Sequence, residues 1–138
     1  MKDCLVIINS YNEEACKLYS SLELFLEKHK IKAKKFLYFG SKSEFQDYNK
    51  DVLNIEKHHY DFAITLGGDG TVLFASRFCA PYGIPVFSIN FGQFGFIAGI
   101  QVEKWQEDLQ LFLEGKSKFM ERSLLAVELV RNNQVIFT

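Results

Sequence analysis

No stretch of this chain approaches the length of apolar residues needed to cross a membrane, and the N-terminus lacks the basic flank and long apolar run of a signal peptide. Cysteine is scarce: Cys4, Cys16 and Cys79 are odd in number, widely spaced and form no C-x-x-C pair, so they read as reduced, buried thiols and not as a disulfide framework. Charge of one sign is also missing. Sixteen Lys and Arg face 17 Asp and Glu, for a net charge of -1, without the basic excess or stripe of a nucleic-acid binder. These absences point to a cytoplasmic protein that acts on neither membranes nor nucleic acids.

What is present is a globular composition. The 138 residues are 48% hydrophobic and 24% charged, enough for one ordinary domain with a real core. Residues 4–8 (CLVII) are an unbroken apolar run, suited to a strand buried on both faces of a parallel sheet. Ser10 to Glu13 has the S-x-x-E form of a capping box, and Ala15, Leu18, Tyr19, Leu22, Phe25 and Leu26 follow at helical spacing. Further strands are predicted at 35–39 (KFLYF), 61–66 (DFAITL) and 84–89 (IPVFSI), with a short polar helix or turn at 43–50 and a helix at 72–80 that Pro81 and Gly83 stop. Strands alternating with helices imply βαβ crossovers and an α/β fold of Rossmann-like parallel-sheet type over residues 1–102.

Beyond residue 102 the pattern changes. Residues 103–115 are amphipathic, with Trp105, Leu109, Phe112 and Leu113 on one side. Residues 123–130 and 134–137 read as strands flanking Asn132-Asn133, a hairpin signal. Residues 103–138 are therefore expected to form a connecting helix and the first hairpin of a β-rich domain that continues in a longer enzyme.

The chemistry concentrates in Gly67-Gly68-Asp69-Gly70-Thr71, between a buried strand and a helix. Ligands of open α/β sheets bind beyond the carboxyl ends of the strands. Three glycines permit positive φ and close backbone approach, and successive amides with a helix N-terminus suit phosphate. Thr71 can cap the helix or donate its hydroxyl to a phosphate oxygen. Asp69 is anomalous there, because a carboxylate repels the anion such a loop holds. It calls for a compensating task, namely accepting a proton from an attacking hydroxyl or holding Mg²⁺. The plainer reading is an Asx turn or helix cap.

Other candidates are weaker. Gly115-Lys116-Ser117 mimics the end of a P-loop, but Gln110 stands where the first glycine belongs, and G-x-G-x-x-G does not occur. His58 and His59 have no partner at metal-ligand spacing, which leaves them as a solvated loop and the chain without a metal site of its own. His29 ends a helix, Arg77 reads as an exposed helix position, and Phe25, Phe36, Phe39, Phe62, Phe74 and Phe87 read as core. The string 91–100 (FGQFGFIAGI), with Gly92, Gly95 and Gly99, reads by itself as a sharp chain reversal.

Taken together, residues 66–77 (LGGDGTVLFASR) and 84–98 (IPVFSINFGQFGFIA) closely resemble the NAD kinase family. The similarity extends more weakly to the opening strand and helix and runs to the end of the chain. Lipid kinases that share G-G-D-G-T typically carry Asn after the Thr, and later G-T-x-N-D; here Val72 follows Thr71. The resemblance implies transfer of a phosphoryl group from ATP, or polyphosphate, with Mg²⁺ or another divalent cation, to the 2′-hydroxyl of the adenosine ribose of NAD. By the same resemblance Asp69 is the proton acceptor and Gly70 its neighbour at the NAD site. Gly67, Gly68 and Thr71 face the donor phosphates, and Phe96 packs on the adenine. Phe94 stands where the family often has Leu, and Ile97 has no assigned role. The family's Asn-Glu or Asn-Asp signature does not occur here, so part of the acceptor site is expected to lie outside these residues, along with the surface through which the family forms homo-oligomers. A lipid or sphingoid kinase and a non-catalytic nucleotide-binding fragment are the alternatives.

Overall fold

A computed structural model of the protein describes residues 2–40, 58–92 and 95–137. The predicted short helix at 43–50 lies outside these. Five strands form one parallel sheet: β1 (Lys2–Asn9), β2 (Ile31–Tyr38), β3 (Phe62–Gly67), β4 (Val86–Asn90) and β5 (Ile100–Gln101), in the order β2-β1-β3-β4-β5. Among the described residues three α-helices accompany it: α1 (Glu13–Lys28), α2 (Asp69–Cys79) and α3 (Trp105–Leu113). A separate antiparallel pair, β6 (Leu129–Arg131) and β7 (Gln134–Phe137), closes the described chain. The α/β class and the terminal hairpin are as the sequence predicts.

Sequence position in the sheet explains the strand compositions. Central β1 and β3 are covered on both faces, which is why residues 4–8 are an unbroken apolar run and β3 is apolar but for buried Thr65. β2 is an edge, and there Lys32, Lys34 and Lys35 are tolerated between half-buried Ala33 and Phe36. On one face, α1 and α3 seat Ala15, Leu22, Leu26, Trp105 and Leu109 against Val6, Ile8, Ile64, Leu66 and Ile89. On the other, Ala75 and Cys79 of α2 pack against Leu5, Ile7 and Ala63. The two layers follow from the strand order. The chain moves one way from β1 to β2 and the other way from β3 to β4, so crossovers of one hand fall on opposite faces. The reversal lies between β1 and β3, and there the carboxyl ends open a crevice.

Several local expectations are corrected. Ser10 does not cap α1. Its hydroxyl donates to the Tyr38 carbonyl at 2.9 Å, and the cap is Asn12, which accepts from the Ala15 amide at 3.0 Å. β2 begins at Ile31, four residues before the predicted run, because Lys30 adopts a left-handed φ of 59° and turns the chain straight from helix to strand. Phe39 lies past the strand and is exposed, and so is Cys16. Buried Cys4 and Cys79 fit the inert-thiol reading, since burial pushes the Cys79 thiol up to about 12. In the hairpin, Asn132 and Asn133 both take positive φ, 53° and 59°, as a two-residue type I′ turn requires. Residues 123–128 form no strand, since nothing among the described residues pairs with them.

Asn12→Ala should lower stability by about 1 kcal/mol through loss of the cap. Leu26→Ala, at a fully buried position shared by α1 and the sheet, should cost about 2–5 kcal/mol. Urea denaturation of the two variants measures both.

Candidate active site at the carboxyl ends of the strands

Three chain segments meet at the crevice: the end of β1 at Asn9, the turn from β3 into α2, and the loop from β4 to β5. The turn is tight. Gly67 ends β3, Gly68 is the N-cap of α2, and Asp69 is its first residue, three positions earlier than the sequence pattern places the helix. Thr71 and Val72 both donate their amides to the Gly68 carbonyl, at 3.2 and 3.3 Å. The amides of Asp69 and Gly70 precede them and have no intrahelical acceptor by position.

The three glycines serve space and not left-handed geometry, for none of them takes a positive φ. At Gly67 a Cβ would run into the Thr71 hydroxyl and the Asn9 side chain. At Gly68 and Gly70 a Cβ would meet nothing within 4 Å. The first glycine is thus demanded by packing behind the loop, while the other two leave bare backbone facing open space. Thr71 is 2% exposed and sits behind Gly67.

Asp69 neither caps α2 nor forms an Asx turn. Its carboxylate reaches the β4–β5 loop. Oδ2 accepts from the Phe96 amide at 3.0 Å, and Oδ1 accepts from the amides of Ile97 and Ala98, each at 3.0 Å. The amides of Ala98, Ile97 and Phe96 hold this carboxyl below the ordinary carboxylate range, and the field of Arg122 adds to them. Arg122 comes from the segment after α3 and places Nη2 3.5 Å from the Phe96 carbonyl. The loop is fastened to the glycine turn a second time, by the Phe91 amide donating to the Gly67 carbonyl at 2.9 Å. Phe96 projects from it, 83% exposed.

The structure therefore brings Gly67, Gly68, Asp69 and Gly70 together with the stretch around Phe96, and sets Thr71 behind them. His58 is engaged elsewhere, 2.9 Å from Asp3 at the start of β1, and Arg77 is exposed on α2. Sequence reasoning did not find the amides of Ile97 and Ala98, because a backbone donor leaves no mark on residue identity. The signal available was the anomaly itself, a carboxylate that needs donors, next to a second glycine-rich string. Arg122 carried no signal at all, lying 53 positions from Asp69 in sequence.

Residues 4–117 match the ATP-NAD kinase N-terminal domain family. The chain belongs to the NAD kinase family. A NAD kinase of Treponema denticola is 40% identical over 136 residues, covering 99% of this chain and 45% of that protein. One from Treponema pallidum is 34% identical over 132 residues, 96% of this chain and 40% of the relative. One from Aquifex aeolicus is 29% identical over 136 residues, 98% of this chain and 46% of the relative. The chain spans less than half the length of these relatives. The family match takes in β1 through α3 and so contains the glycine turn, Asp69 and the β4–β5 loop, while Arg122 and the hairpin fall beyond it.

Gly67→Ala should destabilise the fold by about 1–3 kcal/mol, since the methyl has no room. Gly70→Ala, inside α2 and facing open space, should stabilise it by about 0.5–1 kcal/mol. Thermal denaturation separates the two. A second outcome concerns pH. Because the Asp69 carboxyl is lowered in the folded state, the unfolded chain takes up its proton first as pH falls. The stability it supplies is therefore complete above the unfolded value of about 3.9 and is lost below it, as pH drops toward the folded value. Asp69→Asn should flatten that part of the stability–pH curve.

Proposed function

We propose that this chain carries the phosphoryl-donor loop and the reacting carboxylate of an NAD kinase. The reaction is transfer from ATP, or polyphosphate, to the 2′-hydroxyl of the adenosine ribose of NAD, giving NADP. The observation that carries this reading is Asp69 at the head of α2, fixed by three amides beside bare glycine backbone. Such backbone, with the helix N-terminus behind it, suits the donor's phosphates.

Acceptor capacity assigns the roles of the two oxygens. A carboxylate offers about four lone-pair positions, two on each oxygen. Among the described residues Oδ1 is saturated by Ile97 and Ala98, whereas Oδ2 receives Phe96 alone and keeps one position for the incoming hydroxyl. A carboxyl held below its ordinary range is a weak base, so it orients the hydroxyl first and takes the proton late, once the oxygen is bonding to phosphorus. That timing suits a loose phosphoryl-transfer transition state, in which positioning and charge do most of the work.

Among the described residues no group of three His, Cys, Asp or Glu could hold a metal ion, and Asp69 has one position left. A magnesium ion would therefore be held by the donor's phosphates and not by a cluster of these side chains. Its chemistry there is neutralisation of phosphate charge. Phe96 is the aromatic surface for the adenine, and Thr71 supports the loop through its packing on Gly67. We read residues 103–137 as leading from α3 into a β-rich acceptor domain. Leu124, Leu125, Val127, Leu129 and Val130 are all at least half exposed, and a lone hairpin is marginal without further strands. That domain would complete the NAD site and the subunit contacts of a homo-oligomer working in the cytoplasm. No helix among the described residues is long and apolar enough to cross a membrane.

Purified protein given ATP, Mg²⁺ and NAD should form NADP, and Asp69→Asn should lower the rate by about 10²–10⁴-fold while the fold persists. Phosphorylation of a sphingoid base or diacylglycerol in place of NAD would reassign the acceptor, and near-normal turnover by Asp69→Asn would remove the carboxylate from the mechanism. Since Asp69 stays ionised well below neutrality, the ratio of wild-type to Asp69→Asn rates should hold constant from about pH 5 to about pH 8.

A further inference from the structure

The amides that hold Asp69 are only as well placed as the loop that carries them. That loop leaves β4 at Asn90 and re-enters the sheet at Ile100. Ile89 pairs with Ile100 and Asn90 with Gln101, so the described limbs of the connection, 91–92 and 95–99, form an open ring whose neck is this parallel pairing. Among the described residues of this connection none is helical, and side chains reach its backbone at Gly92 and at 96–98. Asn90 stands at the neck. Its Oδ1 accepts from the Gly92 amide at 2.8 Å, on the outgoing limb. Its amide nitrogen lies against Gly95 on the returning limb, where an added Cβ would run into Asn90 Nδ2 and the Ala98 carbonyl. One carboxamide thus touches both described limbs of the ring.

We propose that Asn90 is a positioning residue of this site: its carboxamide holds the ring in the shape that aims the amides of Phe96, Ile97 and Ala98 at Asp69, and so fixes the direction of the remaining Oδ2 position. The proposal deepens the reading of Asp69 as the reacting carboxylate and rests on it. Asn90 acts through the ring, whereas the ring acts on the carboxylate. Gly95 belongs to the same device, because only a residue without a side chain lets the returning limb close on Asn90. The charged group facing Asp69 from a neighbouring segment is Arg122, and the variants below leave it in place.

The test is a carboxyl ¹³C NMR titration of Asp69 in the intact protein, with Asn90→Ala, Gly95→Ala and, as control, Gly99→Ala, whose methyl would meet nothing within 4 Å. Asn90→Ala and Gly95→Ala should raise the Asp69 titration toward the ordinary value of about 3.9. Both should lower kcat about tenfold while leaving KM for the donor within about twofold, the mark of an interaction made in the transition state. Gly99→Ala should leave the titration where it is. An Asp69 titration that stays low in either variant, with amide spectra showing the fold retained, overturns the proposal. A raised titration with unchanged kcat overturns the catalytic reading of Asp69 and leaves the ring's hold on it standing.

Discussion

A single carboxylate receiving three backbone amides holds the crevice together. Asp69 sits at the first position of α2, where the helix dipole favours its charge, and reaches across to residues 27 to 29 positions further along the chain. The bonds run between the first turn of a helix and a loop with no ladder of its own, so they order the less regular partner. A charged acceptor makes each bond stronger than its neutral counterpart, and all three are lost together if the carboxylate goes. The same bonds depress the basicity of the group. Structure and chemistry are coupled at one side chain: the better it is held, the weaker a base it becomes.

The sheet topology explains why these pieces meet. With the order β2-β1-β3-β4-β5, the reversal of direction lies between β1 and β3, and β3 delivers the glycine turn to the crevice mouth. β4, the next strand outward, delivers the ring beside it, and the Gly67 carbonyl takes the Phe91 amide where the two strands end. Three strand ends therefore present Asn9, Gly67 and Asn90 side by side, and Gly67 is a glycine because its neighbours leave no room for a Cβ. Packing sets that residue, not the ligand.

Most of the fold was legible in the residues. The apolar run in β1, the largely apolar β3, helical spacing in α1 and Asn132-Asn133 in the hairpin each carry a strong local signature. Local competition between similar side chains is where the reading went astray. Ser10 and Asn12 can both cap a helix, and only the pairing of β1 with β2, which brings the Tyr38 carbonyl to Ser10, decides between them. β5 is two residues long and held by pairing alone, below the length at which a pattern exists. At the site, the glycine turn and Asp69 stand out because their composition is unusual. Their partners at Ile97 and Ala98 donate through the backbone and are silent in sequence, and the part of Asn90 depends on a ring whose closure is visible only in three dimensions.

The backbone character of those donors has a consequence for how such a site can change over generations. Because the carboxylate is held by peptide groups, the side chains at positions 96–98 can be exchanged without altering what it binds. Phe96 is almost fully exposed and Ile97 half-buried, so two of the three present side-chain surface outward. The arrangement separates how the carboxylate is held from what the loop presents: the outward faces of the ring can change while Asp69 keeps its three backbone donors.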